Sequence, residues 1–267
     1  MRERINSTQR AAAYVIACLL FVHACKTDDA VNPPSQQADK CFLVKSTSTY
    51  SSSATTNEVQ YTRNAVGKVT EIASTTRNGT TTTSTIQSYS YDTSGKLTKV
   101  EGTNNFSTYT YNDSGQLTNV NYYLNNAILS STQLQYNSSG QITRKLYFNT
   151  YTGPLSYTGY REYTYPDATS KNANKETLYN ANNEIQFYVE YEYDTHFIPV
   201  ATIAVDQSIT VPSVNNITKS TYTQIAGASS VNISTNTYTS TDKRDPTQAA
   251  KTAYAVTETI VYEYSCQ

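Results

Sequence analysis

The stretch YSYDTSGKLTKV, Tyr89 to Val100, returns almost unchanged as YTYNDSGQLTNV, Tyr109 to Val120. Such a repeat constrains the fold strongly, because a short repeated unit must bury its apolar face against its neighbours. Aligned on glycine, the copies stand at Gly67, Gly95, Gly115 and Gly140. Asn64, Asp92, Asn112 or Asn137 stands three residues before each glycine, and Tyr61, Tyr89, Tyr109 or Leu134 six before. After the glycines come Lys68-Val69-Thr70, Lys96-Leu97-Thr98, Gln116-Leu117-Thr118 and Gln141-Ile142-Thr143. A fifth copy, LYNANNEIQFY, carries Asn183 where the glycine would stand. Asn is the other residue that enters the left-handed region at little cost.

The chemistry of one copy predicts a hairpin. Asp or Asn opening a type I turn bonds the backbone two residues on. Glycine at the fourth position takes positive φ and forms the bulge that closes a hairpin. YSY and YTY alternate as a strand entering the turn, and KLT or QLT leaves it as the next strand. Consecutive hairpins give an all-β antiparallel meander forming one large twisted sheet. One detail is unresolved at this level. Leu97 and Val100, like Val69 and Ile72, are three apart, so a flat strand would point them to opposite faces. Either a bulge shifts the register, or both faces of the sheet are partly covered.

These motifs resemble the tyrosine-aspartate (YD) repeats of RHS-type proteins, and repeat-bearing lipoproteins of unassigned function. The clearest copies lie between residues 61 and 188, roughly half the chain. The resemblance implies a large hairpin sheet associated with surface binding and no shared chemistry. The unequal spacing of the turns argues against a regular solenoid. Beyond the repeats, NNITKSTYTQ from Asn215, SVNISTNTYTS from Ser230 and TAYAVTETIVYEYSC from Thr252 read as strands, and STDKRDPTQ as a loop. Phe197 to Val211 is apolar without clean periodicity and fits a strand pair, a plug or a short helix.

Composition agrees with a β-sheet. The 267 residues include 25 Tyr, with 37% hydrophobic and only 15% charged side chains. Thr, Ser and Tyr fit pleated, half-exposed surfaces, whereas Ser, Thr and Asn compete with a helix backbone for hydrogen bonds. The formal charge of −1 marks no polyanion-binding surface, so nucleic acid is not an expected partner.

The N-terminus reads as an address. Residues 1–24 combine a basic segment (Arg2, Arg4, Arg10) with an apolar run from Ala11 to Val22, too short to span a bilayer. Val22-His23-Ala24-Cys25 resembles the lipobox of bacterial lipoproteins, in which the cysteine is acylated and becomes the new N-terminus. His23 is unusual in that motif, and Val22 stands where Leu is commonest. VIAC ending at Cys18 fits more loosely, since cleavage there would leave too short an apolar run. Acyl chains contribute about 0.8 kcal/mol per buried methylene, so Cys25 would be a lasting anchor in the lipid bilayer. The adjoining CKTDD resembles the tag that sends some Gram-negative lipoproteins to the outer face of the outer membrane. Residues 25–40, with Pro33-Pro34 and no apolar periodicity, read as the lipidated cysteine and a flexible tether. Residues 41–267 are then one β-sheet domain.

Two cysteines remain, Cys41 opening the first predicted strand and Cys266 closing the last. Export to an oxidising compartment makes a disulfide between them an expectation. Such a bond would set the first and last strands side by side, as in a closed barrel.

Catalytic constellations are scarce. The sequence has no HExxH, GxSxG, Walker or GxGxxG motif, and neither a metal nor a cofactor is expected. In EYEYDTH, alternation aims Glu190, Glu192, Asp194 and His196 at one face of a strand, a spacing open to an acid/base pair or a cation site. The plainer reading turns Tyr191 and Tyr193 to the core and the carboxylates to solvent. Rows of Tyr suit a platform for sugars or proteins, or they are cross-strand packing pairs. The expectation is an outward-facing outer-membrane lipoprotein, not an enzyme, displaying a Tyr/Thr-rich sheet to a glycan or protein ligand. The alternative is a lipid-anchored hydrolase using Glu190, Glu192 or Asp194.

Overall fold

The computed structural model describes residues 41–266, apart from 152, 198–210, 228–229, 240–246 and 254–255. The signal segment, Cys25 and the tether lie outside the described residues, as does most of the apolar Phe197–Val211 stretch.

The strands run β1 (Cys41–Tyr50), β2 (Thr55–Arg63), β3 (Val69–Asn78), β4 (Thr81–Tyr91), β5 (Leu97–Glu101) and β6 (Asn105–Tyr111). They continue as β7 (Leu117–Leu124), β8 (Ala127–Tyr136), β9 (Ile142–Asn149), β10 (Ser156–Thr164) and β11 (Lys175–Asn180). The last are β12 (Ile185–Phe197), β13 (Asn215–Gln224), β14 (Ser230–Thr239), β15 (Gln248–Ala253) and β16 (Val256–Cys266). Each pairs antiparallel with the next, and β16 returns to β1, so the meander closes into a barrel. Closure leaves no sheet edge exposed for stray pairing. In the closing seam Cys41 stands directly opposite Cys266. The Thr252–Cys266 stretch, expected from sequence as one strand, is divided between the end of β15 and β16, and the Gln at the end of the STDKRDPTQ loop already belongs to β15.

The repeats build one end of this barrel. Asn64, Asp92, Asn112 and Asn137 each accept the amide of Gly67, Gly95, Gly115 or Gly140 at 2.9–3.0 Å through their backbone oxygens. Their side-chain oxygens also accept the amide of the residue after the glycine, as in Asp92 Oδ1 with Lys96 N at 2.8 Å. The four glycines hold φ between 77° and 82°, where a Cβ would clash with the backbone. Asn183 closes a turn of the same bonding, at φ 63°, but between β11 and β12, at the opposite end of the barrel. It shares the turn chemistry without continuing the row.

The three-residue spacing is resolved by a bulge. Pairing slips by one residue between Thr62 and Arg63 against Glu71 and Val69, and again at Ser90/Tyr91, Thr110/Tyr111 and Gln135/Tyr136. The extra residue is Thr70, Thr98, Thr118 or Thr143, the Thr of each repeated KLT-type triplet. Each hydroxyl donates to the facing carbonyl, as Thr98 to Ser90 and Thr118 to Thr110, both at 3.1 Å. An unpaired residue bends its strand and re-aims the side chains beyond it. Val69 and Ile72, and likewise Leu97 and Val100, therefore both face inward.

Successive repeats interlock through tyrosine. Tyr91, Tyr111, Tyr136 and Tyr165 donate their hydroxyls to the carbonyls of Val69, Leu97, Leu117 and Ile142, each on the preceding unit, at 2.6–2.9 Å. The rings pack on a core of Leu97, Tyr109, Leu117, Val120, Leu134, Ile142 and Tyr163. A second core, Leu43, Tyr61, Val69 and Ile72, lies near the seam. Both cores crowd the repeat end of the barrel. Toward the other end the inward positions turn polar, and Thr83 and Thr85 are exposed although they face the interior. The barrel is thus packed at one end and open to solvent toward the other.

Candidate functional site

The interior of a sixteen-strand barrel is too wide for wall side chains alone to fill. Here the packed repeat end acts as a floor beneath the polar upper interior. The wall of β9 to β12 carries the charged part of that interior. Lys145 on β9 is opposite Leu134 on one side and Arg161 on the other, and all three face inward. Lys145 is completely buried, with its ammonium 5.2 Å from the centre of the Tyr163 ring. Arg161 Nη1 lies 3.0 Å from Glu176 Oε1, and the guanidinium sits 5.7 Å over Phe187. Arg161 Nε and Glu176 Oε2 have no hydrogen-bond partner among the described residues. Buried atoms of this kind are ordinarily satisfied by water or a ligand.

Electrostatics reflect this enclosure. Burial pushes the Tyr163 and Tyr191 hydroxyls far above the ordinary phenol range, and the nearby Glu176 carboxylate adds to the rise. Burial alone would depress the Arg161 guanidinium, but Glu176 and the surrounding tyrosines hold it above its usual value. The phenols stay protonated and the guanidinium stays charged. The group can therefore donate hydrogen bonds, and Arg161 and Glu176 balance each other as an ion pair.

Sequence reasoning passed over this group, although a signal was present. Five residues after the glycine the repeats carry Ile72, Val100 and Val120, and then Lys145. Six before it they carry Tyr61, Tyr89 and Tyr109, and then Leu134. These two positions face each other across the hairpin, as Tyr61 with Ile72, Tyr89 with Val100, Tyr109 with Val120 and Leu134 with Lys145. The fourth copy alone places a charge there.

The acidic stretch on β12 is divided by the structure. Glu190 and Glu192 point outward, where Lys175 lies 3.9 Å from the first and Lys219 2.7 Å from the second. The register breaks on either side of Tyr193. Beyond that break Asp194 accepts the His196 amide at 2.9 Å and the Asn216 side-chain amide at 3.1 Å, with His196 Nδ1 3.5 Å away. Tyr193 faces in and donates to Ala173 O at 2.6 Å. Glu190 and Glu192 are thus salt-bridged surface residues, while Asp194 buttresses an irregular strand end. Among the described residues, no group of three or more His, Cys, Asp or Glu is placed to hold a metal.

The tyrosines divide by face. The repeat tyrosines turn inward, where their hydroxyls lace successive units together. On the outside, Tyr160 stacks on Tyr179 and Phe106 on Tyr123, both with ring centres 4.5 Å apart. Arg144 lies 5.0 Å over Tyr160, and Lys99 lies 4.7 Å over Phe106. In these two pairs the ring faces a sugar would stack on are already engaged across the strands.

Two solved structures share this architecture. One is a porin-like protein from Bacteroides uniformis ATCC 8492, at TM-score 0.56 and 13% identity, covering 84% of this chain and 96% of that one. The other is a porin-like protein from Bacteroides vulgatus ATCC 8482, at TM-score 0.54 and 9% identity, covering 85% of this chain and 99% of that one. At such identity the likeness is one of fold. The sequence itself matches no family model and no curated protein.

Proposed function

We propose that this protein is a binding protein of the outer membrane, held there by a lipid on Cys25, with its barrel standing outside the bilayer. The observation that carries this reading is the outer wall. Cross-strand ion pairs occur on widely separated strands: Lys45 with Glu58 and Glu263, Arg144 with Glu162, and Lys175 and Lys219 with Glu190 and Glu192. Between them the outward positions include many Thr, as in Thr235, Thr237 and Thr239 on β14, whose same face also carries Val231 and Ile233. A barrel embedded in lipid presents an apolar band, and Lys or Arg facing lipid at mid-bilayer costs about 2–4 kcal/mol each. The two porin-like structures make an outer-membrane setting natural for the fold, and the CKTDD tag supports outward display.

Binding is favoured over catalysis because Glu190 and Glu192 are neutralised by lysines and separated from Asp194. The partner class suggested by the repeats is a glycan or a protein. The test is fractionation. The Cys25→Ala chain should leave the membrane in soluble form, whereas wild type should stay with it and be cleaved by protease added to intact cells. A Cys25→Ala chain that remained integral to the membrane would mean that the barrel itself is inserted.

A further inference from the structure

The outer wall is not the same all the way round. Phe106 on β6 stacks on Tyr123 of β7, and Phe148 on β9 packs on Tyr157 of β10 with ring centres 5.6 Å apart. Tyr160 carries the surface on to Tyr179, which stands opposite Ile185 on β12. All point outward toward the end of the barrel remote from the repeats. Beside them, Tyr151 and Leu155 of the β9–β10 loop are 75% and 39% exposed. Among the described residues, no aromatic ring faces outward on β2 to β5 or on β13 to β16, only aliphatics such as Ile86 and Ile233. We infer that this one-sided aromatic face is the contact for a second copy of the chain. The two barrels pair side by side about a twofold axis parallel to their own axes.

Three observations select that occupant. First, the aromatic girdle of a membrane-spanning barrel encircles the wall, whereas this face lies on one side only. A contiguous apolar patch rich in Tyr and Phe marks a protein contact. Second, the border of the face is self-complementary. Lys99 with Glu101, Arg144 with Glu162 and Lys175 with Glu190 each join a cation to an anion. That border has no net sign, so an identical face meets it without like-charge repulsion. A strongly acidic or basic partner finds no matching field there.

Third, the anchor fits the same arrangement, and this point rests on the lipidation of Cys25 proposed above. β1 starts at the repeat end, where Phe42 lies against Gly67, and the face is centred on β9, half-way round the barrel. The tether therefore joins the barrel on the side away from the contact. A parallel twofold axis turns both repeat ends toward one membrane and leaves the two faces free to meet. The chain's own Pro33-Pro34 is not the occupant. It lies within seven residues of Cys41, about 25 Å at full extension, while β9 is eight strand spacings of about 4.8 Å from β1.

The experiment co-expresses two full-length copies with different epitope tags and fixes intact cells with formaldehyde before solubilisation. Capture of one tag should retrieve the other, in an adduct of about twice the monomer mass. Tyr157→Ser should cut that recovery by at least about tenfold. Tyr151→Ser with Leu155→Ser, confined to exposed loop positions that leave the strands intact, should reduce it in the same direction. Val231→Ser with Ile233→Ser, exposed on β14 outside the face, should change nothing. Failure to retrieve the second tag overturns the inference, as does equal loss from the β14 variant or cross-linking only to proteins of other sizes. So does flotation of the Cys25→Ala chain with phosphatidylethanolamine–phosphatidylglycerol vesicles that Tyr157→Ser abolishes, which would make lipid the occupant. Tyr157-dependent retrieval from a chain whose barrel proved to be membrane-inserted would leave the contact standing and remove only the placement outside the bilayer.

Discussion

The Tyr136 hydroxyl donates to the Leu117 carbonyl oxygen at 2.7 Å, fastening one repeat onto the one before it. The same bond recurs from Tyr91 to Val69 and from Tyr111 to Leu97, so the repeat end is laced by phenols rather than by backbone pairing alone. The lacing is enclosed. Burial lifts the Tyr91 hydroxyl to about 12 and raises Tyr136 further in the same direction.

Tyr136→Phe keeps the ring and strands the Leu117 carbonyl. A buried acceptor left without its donor costs about 1–3 kcal/mol, so a fall of that size in unfolding free energy is expected in denaturant titration. Tyr179→Phe, on the outer wall with its stack on Tyr160 intact, should stay within about 0.5 kcal/mol of wild type. Equal effects from the two variants would contradict the interlock.

Gly115→Ala isolates the backbone requirement of the turn. The added Cβ meets only the end of the flexible Lys96 side chain at 3.5 Å, so the strain comes from φ at 82°. Holding a Cβ-bearing residue there costs about 1–2 kcal/mol. Gly115→Asn should lose less, because Asn183 already occupies the same region at φ 63°. Thermal unfolding of the two variants should rank them in that order.

Asp92 makes one turn pH-dependent. Bonds from the Ser94 hydroxyl and the Lys96 amide hold its carboxyl below the usual range. A depressed folded-state value means that its stabilisation is fully present above the unfolded value near 3.9 and is lost as pH falls through the folded one. Between about pH 4 and pH 2 the melting temperature of wild type should therefore fall more steeply than that of Asp92→Asn, which carries the residue found in the other three turns. Parallel curves would show that the carboxylate adds nothing there.

The seam offers a covalent test. Directly opposed residues on paired antiparallel strands have Cα atoms about 4.5–5.5 Å apart, within the span of a disulfide. A Cys41–Cys266 bond would close nearly the whole barrel into one loop, worth on the order of 5 kcal/mol by chain entropy. Non-reducing electrophoresis should show a faster band that dithiothreitol abolishes, and Cys266→Ser should melt at lower temperature. Identical mobility with and without reductant in protein isolated without added thiols would exclude the bond.

Much of this architecture was legible residue by residue. The turns, the hairpins and their antiparallel order come from Asn or Asp, then glycine, then a short strand, because those preferences are set by one residue and its immediate neighbours. Apolar residues three apart left two readings open, a bulge or a sheet covered on both faces. The register slip at Thr98 and Thr118 decides for the bulge, and it depends on which residues of the facing strand they meet. Closure of the sheet was foreshadowed only by Cys41 and Cys266 at its two ends, while the inward turn of the repeat tyrosines and the separation of Glu192 from Asp194 depend on partners far along the chain. So does the meeting of Lys145, Arg161 and Glu176, which come from three strands. Local sequence determined the unit; only the closed barrel, by giving the sheet an inside and an outside, decided which side chains share an enclosed space and which meet water.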